Sequence, residues 1–166
     1  MPSRILIVDD EKLVLDGFKT TLELDGYNVW TAQDSKGALA LVQDTPFDLI
    51  VLDFIMPGMD GLELLARIRR HQPLVRSIII SGKVAGEKSE ADLTKVLGEK
   101  VEADLYLHKP LSNERLIAAA KALLAQSHDG DWKAIAGQLV QRQSAPISSA
   151  KAASKELKKS IKKRGR

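Results

Sequence analysis

The sequence predicts an α/β fold, a doubly wound five-stranded parallel sheet with helices on both faces. Short, nearly continuous apolar runs occur five times, each bounded by turn or charged residues, which is the pattern of strands buried on both faces. Segments with helical apolar spacing separate the runs. Because a crossover between parallel strands is right-handed, this strict alternation of strand and helix lays helices on both sides of one sheet.

The first run, Ile5 to Val8, stops at Asp9-Asp10-Glu11 and is followed by a helix marked by Val14, Phe18 and Leu22. The second, Val29 to Ala32, leads through Gln33 to Asp34 or Ser35 as helix N-cap, then to Ala38, Leu39 and Val42. Leu49 to Leu52 is closed by Asp53 and precedes Leu62, Leu65 and Ile68; Ile78 to Ile80 is closed by Ser81 and precedes Leu93, Val96 and Leu97. Leu105 to Leu107 runs on to Lys109 and a helix carrying Leu116, Ala120 and Leu123. This body occupies residues 1–126. Residues 127–143 open with the break Ser127-His128-Asp129-Gly130 and then place Trp132, Ile135, Ala136, Leu139 and Val140 on one face of a short amphipathic helix. Residues 144–166 hold only Ile147, Leu157 and Ile161 as large apolar groups, too few to offset the entropy of ordering them, so that tail is predicted to be disordered.

The chain has 166 residues, 44% hydrophobic and 28% charged, the balance of one soluble domain with an appendage. It contains no Cys, which excludes disulfides, thiolate nucleophiles and zinc-thiolate sites and fits a cytoplasmic protein. No apolar run is long enough for a signal peptide core or a membrane span, so no membrane insertion is expected. The net charge of +3 conceals an asymmetry. The tail from Ser144 carries eight Lys or Arg against Glu156 alone, which leaves the body acidic. An end-loaded basic block reads as a solvated extension, or as an arm making weak, salt-sensitive contact with nucleic acid.

In such a sheet, with strand order 2-1-3-4-5, functional groups gather at the carboxyl ends of the strands beside the switch point between strands 1 and 3. Asp9 and Asp10 leave strand 1 there and Asp53 leaves strand 3. Three carboxylates at one place repel one another unless a cation neutralises them, and a hard oxygen cluster of this size suits Mg²⁺. Lys109 adds a positive point charge and Ser81 a hydroxyl. Carboxylates, divalent metal, ammonium and hydroxyl together describe a phosphoryl-transfer site in which one Asp is the nucleophile. Asp9-Asp10 standing alone would read as ordinary helix capping, and Ser81 alone as a surface hydroxyl. His71, His108 and His128 lack the spacing of a two-ligand helical site, and Trp30 and Trp132 read as packing groups.

Residues 1 to about 126 resemble the receiver domains of two-component response regulators, including the single-domain chemotaxis regulator. The resemblance rests on four ordered motifs: Asp9-Asp10 after Ile-Leu-Ile-Val, Asp53-Phe54-Ile55-Met56-Pro57-Gly58-Met59-Asp60-Gly61, Ser81-Gly82, and Tyr106-Leu107-His108-Lys109-Pro110. It implies a flavodoxin-like (βα)5 sandwich. It also implies that Asp53 accepts a phosphoryl group from a sensor histidine kinase or phosphotransfer protein, with Mg²⁺ held by Asp9, Asp10, Asp53 and the Ile55 carbonyl. Lys109 and Ser81 would contact the phosphoryl group, Tyr106 would change rotamer as the Ser81 loop moves, and the Lys109-Pro110 bond would be cis. The output would be a changed surface on the fourth helix, fifth strand and fifth helix, read by a downstream protein or by a second copy in a phosphorylation-linked homodimer. One departure stands out: 27 residues separate Ser81 from Lys109, several more than the family usually has, with Gly86 to Asp92 as the expected insertion.

Two other functional classes compete. A haloacid-dehalogenase phosphatase also uses an aspartyl phosphate, but it needs a general-acid Asp two residues after the nucleophile, and that position is Ile55. The chain is therefore expected to be a phosphoacceptor that at most hydrolyses its own acyl phosphate. A DNA-binding regulator would need a recognition domain, for which the roughly forty residues after His128 have no room.

Overall fold

The computed structural model describes residues 1–82 and 101–125. Its elements run β1 (Arg4–Val8), α1 (Lys12–Leu24), β2 (Asn28–Ala32), α2 (Ser35–Asp44), β3 (Leu49–Asp53), α3 (Gly61–His71), β4 (Arg76–Ser81), β5 (Leu105–His108) and α4 (Asn113–Leu124). The sheet is parallel throughout, in the order β2-β1-β3-β4-β5. Both the fold class and the strand order match the reading of the sequence. The predicted helix at Leu93, Val96 and Leu97, the extended segment Gly86 to Asp92, the amphipathic segment around Trp132 and the basic tail lie outside the described residues.

Strand alternation divides the core. Ile5, Ile7, Leu49, Val51, Ile78 and Ile80 face one side and pack with Leu15 and Leu22 of α1 and Leu116, Ala120 and Leu123 of α4. Leu6, Val8, Ile50, Leu52 and Ile79 face the other and meet Ala38 and Val42 of α2 and Leu62, Leu65 and Ile68 of α3. Trp30 packs edge-on against Phe47, ring centroids 5.5 Å apart.

Burial on both faces holds for β1, β3 and most of β4, but not for the outer strands: β5 alternates buried with partly exposed residues, and β2 has only Val29 and Ala32 buried. On α1 the fully buried residues are Leu15 and Leu22, with the expected Val14 and Phe18 half-buried; Leu15 was absent from the predicted face. Asp34 is the N-cap of α2 and accepts from the Gly37 amide at 2.6 Å. Helix α3 is capped by Asp60, which accepts from the Glu63 amide at 2.8 Å, and has Arg69, Arg70 and His71 in its last turn, where cations suit the helix dipole. His71 is exposed there.

A polar clamp ties the amino ends of β4 and β5 to α3. Ser77, fully buried, donates its amide to Asp104 Oδ2 at 2.7 Å, its hydroxyl accepts from the Asp104 amide at 3.1 Å, and Arg69 reaches both residues while donating to the Glu102 carbonyl. A buried hydroxyl and a half-buried carboxylate are tolerated because each is bonded several times over.

Candidate functional site

The register of the sheet assembles the acidic cluster. β1 and β3 pair Ile5 with Leu49 and Val8 with Leu52, so the next residues in step are Asp9 and Asp53, the two acids that end the pair. Adjacent strands lie about 4.8 Å apart, and the carboxylates inherit that spacing. One oxygen from each of Asp9, Asp10 and Asp53 lies within 4.8 Å of the others. Asp9 and Asp53 are buried, at 3% and 6% exposure, whereas Asp10 faces solvent at the start of the turn into α1.

Lys109 arrives from farther away. It follows β5, and β4 separates β5 from β3, so only a long side chain can return to the acids. Its Nζ stands 3.3 Å from Asp9 Oδ2 and 3.4 Å from Asp53 Oδ2, bridging the two buried carboxylates. The Lys109 amide donates to the Ser81 carbonyl at 2.9 Å, and the Lys109-Pro110 peptide is cis. Asp9 divides its oxygens: Oδ2 takes the ammonium and Oδ1 accepts from the Glu11 amide at 2.9 Å. Capping thus occupies only one of its two oxygens, and Glu11, the N-cap residue of α1, makes no side-chain cap bond.

The electrostatics follow from burial. Asp53 holds its proton more tightly than an ordinary carboxyl, first because it is desolvated and then because Asp9 repels its charge; Lys109 and a backbone hydrogen bond from Ile55 oppose the shift. For Lys109, burial alone would favour the neutral amine, but attraction to Asp53 and then Asp9 outweighs it, and the ammonium is held above its ordinary value. A hard, all-oxygen donor set of three convergent carboxylates, two of them buried, fits a divalent cation.

Ser81 closes β4 beside this cluster. Asp53 pairs with Ile80, and Ser81 is the next residue on the neighbouring strand. Tyr106 on β5 is half-buried, with its hydroxyl accepting from the Ala103 amide at 3.1 Å and its ring against the α2/α3 side of the core. Ile55 is 51% exposed.

One residue of the site had no reason in the sequence beyond its place in a motif. Gly61 opens α3 with its amide bonded to the Phe54 carbonyl at 2.9 Å, and a Cβ there would stand 2.5 Å from the Asp53 carbonyl oxygen. The start of α3 therefore seats directly on the backbone of the buried acid.

Residues 5–121 match the response regulator receiver domain family. The phosphate regulon transcriptional regulatory protein PhoB of Pseudomonas aeruginosa is 38% identical over 130 residues, covering 78% of this chain and 55% of its own length. Response regulator MprA of Mycolicibacterium vanbaalenii is 34% identical over 137 residues, covering 79% of this chain and 54% of its own. The chain thus spans about half the length of these curated relatives. A CheY-like receiver domain protein from Methanospirillum hungatei superposes with a TM-score of 0.65 at 32% identity, over 75% of this chain and 95% of that one. The signal receiver domain of an HD domain-containing protein from Pseudomonas fluorescens gives 0.66 at 29% identity, over 75% and 96%.

Proposed function

The chain belongs to the response regulator receiver domain family, and on that premise we propose that it is a phosphorylation-operated switch whose acceptor is Asp53 and whose donor is a sensor histidine kinase or phosphotransfer protein. The observation that carries this reading is the convergence of Asp9, Asp10, Asp53 and Lys109 on one small volume at the carboxyl edge of the sheet.

The Asp53 carboxylate is the nucleophile: an Oδ–P bond forms as the P–N bond of the donor phosphohistidine breaks, and the imidazole leaves. Asp9, Asp10 and Asp53, with the Ile55 carbonyl, would hold Mg²⁺, which supplies neutralisation of charge on the transferring phosphoryl oxygens. Lys109 then turns from bridging two carboxylates to pairing with the phosphoryl group, and the Ser81 hydroxyl donates to another of its oxygens. Each charge-assisted hydrogen bond contributes about 1.5–3 kcal/mol. Two of them approach the ~5.5 kcal/mol that inverts a 1:99 equilibrium between two conformations. The altered surface would be that of the segment after Ser81 together with β5 and α4, with Tyr106 leaving its bond to the Ala103 amide. A downstream protein or a second copy of the chain would read it.

The chain is no phosphatase of outside substrates in this account. The position two residues after Asp53 is Ile55, which cannot donate a proton to a leaving group, so only slow loss of its own acyl phosphate remains. Among the described residues no helix is long and apolar enough to cross a membrane, and a cytoplasmic location suits a kinase-fed switch. The Pseudomonas aeruginosa relative is named a transcriptional regulatory protein; for the described residues we propose protein recognition as the output, with weak nucleic-acid contact by the basic tail. Incubation with acetyl phosphate and Mg²⁺ should add one phosphoryl group to the wild-type chain by intact mass and none to Asp53→Asn. Equal labelling of both proteins would overturn the assignment.

A further inference from the structure

The edge of the sheet opposite the acidic cluster carries an apolar groove that the switch does not use. Its volume is about 450 Å³, and its walls include Phe47, Pro73, Leu74, Val75, Leu123 and Leu124. Leu74 stands 76% exposed, although it is a large apolar group among other apolar groups. Asp48 and Arg76 mark the polar rim, at the amino ends of β3 and β4.

We propose that this groove is the docking site of the chain's own residues 131–143, whose apolar face is Trp132, Ile135, Ala136, Leu139 and Val140. The path of the chain selects this occupant. Leu123 and Leu124 are the last two residues of α4 and form part of the wall, so the chain leaves the described domain on the rim of the groove. Seven residue steps lead from Ala125 to Trp132, a reach of up to about 25 Å at ~3.3–3.6 Å per residue, ample to return along the groove. Tethering at that distance gives an effective concentration on the order of millimolar, which no free partner matches without much greater affinity.

The segment also needs a surface. A helix of about thirteen residues is marginal in water by itself, and one with a single apolar face forms when that face is covered. Charge selects it over the rest of the tail. Asp129 to Gln143 is neutral on balance and bears five apolar groups on one face, whereas the stretch from Ser144 has eight cations and three scattered large apolar groups. Seated here, the segment leaves the phosphoacceptor edge of the sheet open.

The absence of cysteine permits a direct test in the full-length chain. Leu74→Cys, at an exposed position that folding should tolerate, is paired in turn with Trp132→Cys, Ile135→Cys and Leu139→Cys on the apolar face, and with Gln141→Cys on the opposite face. Under mild oxidation, at least one apolar-face pair should close into a monomeric disulfide some ten-fold faster than the Gln141→Cys pair. Fluorescence gives a second reading: in a Trp30→Phe background, Trp132 should emit as a shielded indole, and Leu74→Asp should shift it to the hydrated wavelength. Equal cross-linking rates on both faces, together with hydrated emission that Leu74→Asp leaves unchanged, would overturn the proposal. Disulfides found only between molecules, or shielding that appears only at high protein concentration, would overturn it in favour of a second copy.

Discussion

Gly61→Ala separates the geometry of the site from its charges. Alanine is ordinarily the better helix residue, by up to about 1 kcal/mol, and the Gly61 backbone is not in the left-handed region. Yet the added Cβ would lie 2.5 Å from the Asp53 carbonyl oxygen, 3.1 Å from Phe54 Cα and 3.2 Å from the Asp53 carbonyl carbon. All three are backbone atoms, so no rotamer change relieves the contact. Restoring an ordinary 3.4 Å separation moves α3 and the end of β3 apart by roughly 0.9 Å. Overpacking of this kind costs about 1–3 kcal/mol, which set against the helix gain leaves a net loss of up to ~2 kcal/mol, a fall of up to ~1 M in the urea midpoint. Because the displaced atoms belong to the proposed acceptor residue, labelling by acetyl phosphate should slow by up to ~100-fold. Gly17→Ala on α1, where a Cβ meets nothing within 4 Å, should instead be neutral or stabilising by up to about 1 kcal/mol. If Gly61→Ala matches the wild type in both urea midpoint and labelling rate, the seating of α3 on Asp53 does not position the acceptor.

The folded state binds the Asp53 proton more tightly than the unfolded chain, so stability falls as pH rises from the ordinary 3.8 through the raised folded value. Asp53→Asn removes that penalty, and chemical denaturation across the interval should show its stability gaining on the wild type with rising pH; a constant difference would contradict the assignment of the shift. Mg²⁺ should raise the wild-type melting temperature, by the equivalent of ~2.7 kcal/mol at a hundred times its dissociation constant, and Asp10→Asn should blunt the effect. Equal stabilisation of both proteins would place the ion elsewhere. Asp104→Ala strips partners from the buried Ser77 and from Arg69 and should cost about 2–4 kcal/mol in urea titrations. Labelling at Asp53 per folded molecule should stay unchanged, since the clamp sits at the other end of the strands.

The parts of this molecule that were legible in the sequence are those fixed by period and by topology. Five apolar runs separated by helical spacing sufficed for the sheet, and the rule that chemistry gathers at the switch point brought Asp9 and Asp53 together although 43 residues lie between them. Lys109 was legible for the same reason, at the end of a strand. What period does not encode was not legible. An apolar run does not say whether its strand will be at an edge, so β2 and β5 read as buried when each has a partly open face. Leu15 lies one residue from Val14, and only the packing of α1 against the sheet shows that Leu15 points inward. Arg69, Ser77 and Asp104 are isolated polar residues in sequence and become a clamp only when α3, β4 and β5 meet. The role of Gly61 is a distance to a backbone atom, which no composition or spacing reveals.

The proposed function requires that Asp9, Asp10, Asp53 and Lys109 form one metal-dependent phosphoacceptor cavity. Its most direct test is to map the labelled residue after exposure of the full chain to a phosphodonor, with Mg²⁺ present and with all divalent metal chelated. A single modified residue, Asp53, is expected, labelled with the metal and at background without it. Label at any other residue, or at Asp53 at the same rate in chelator, would contradict it.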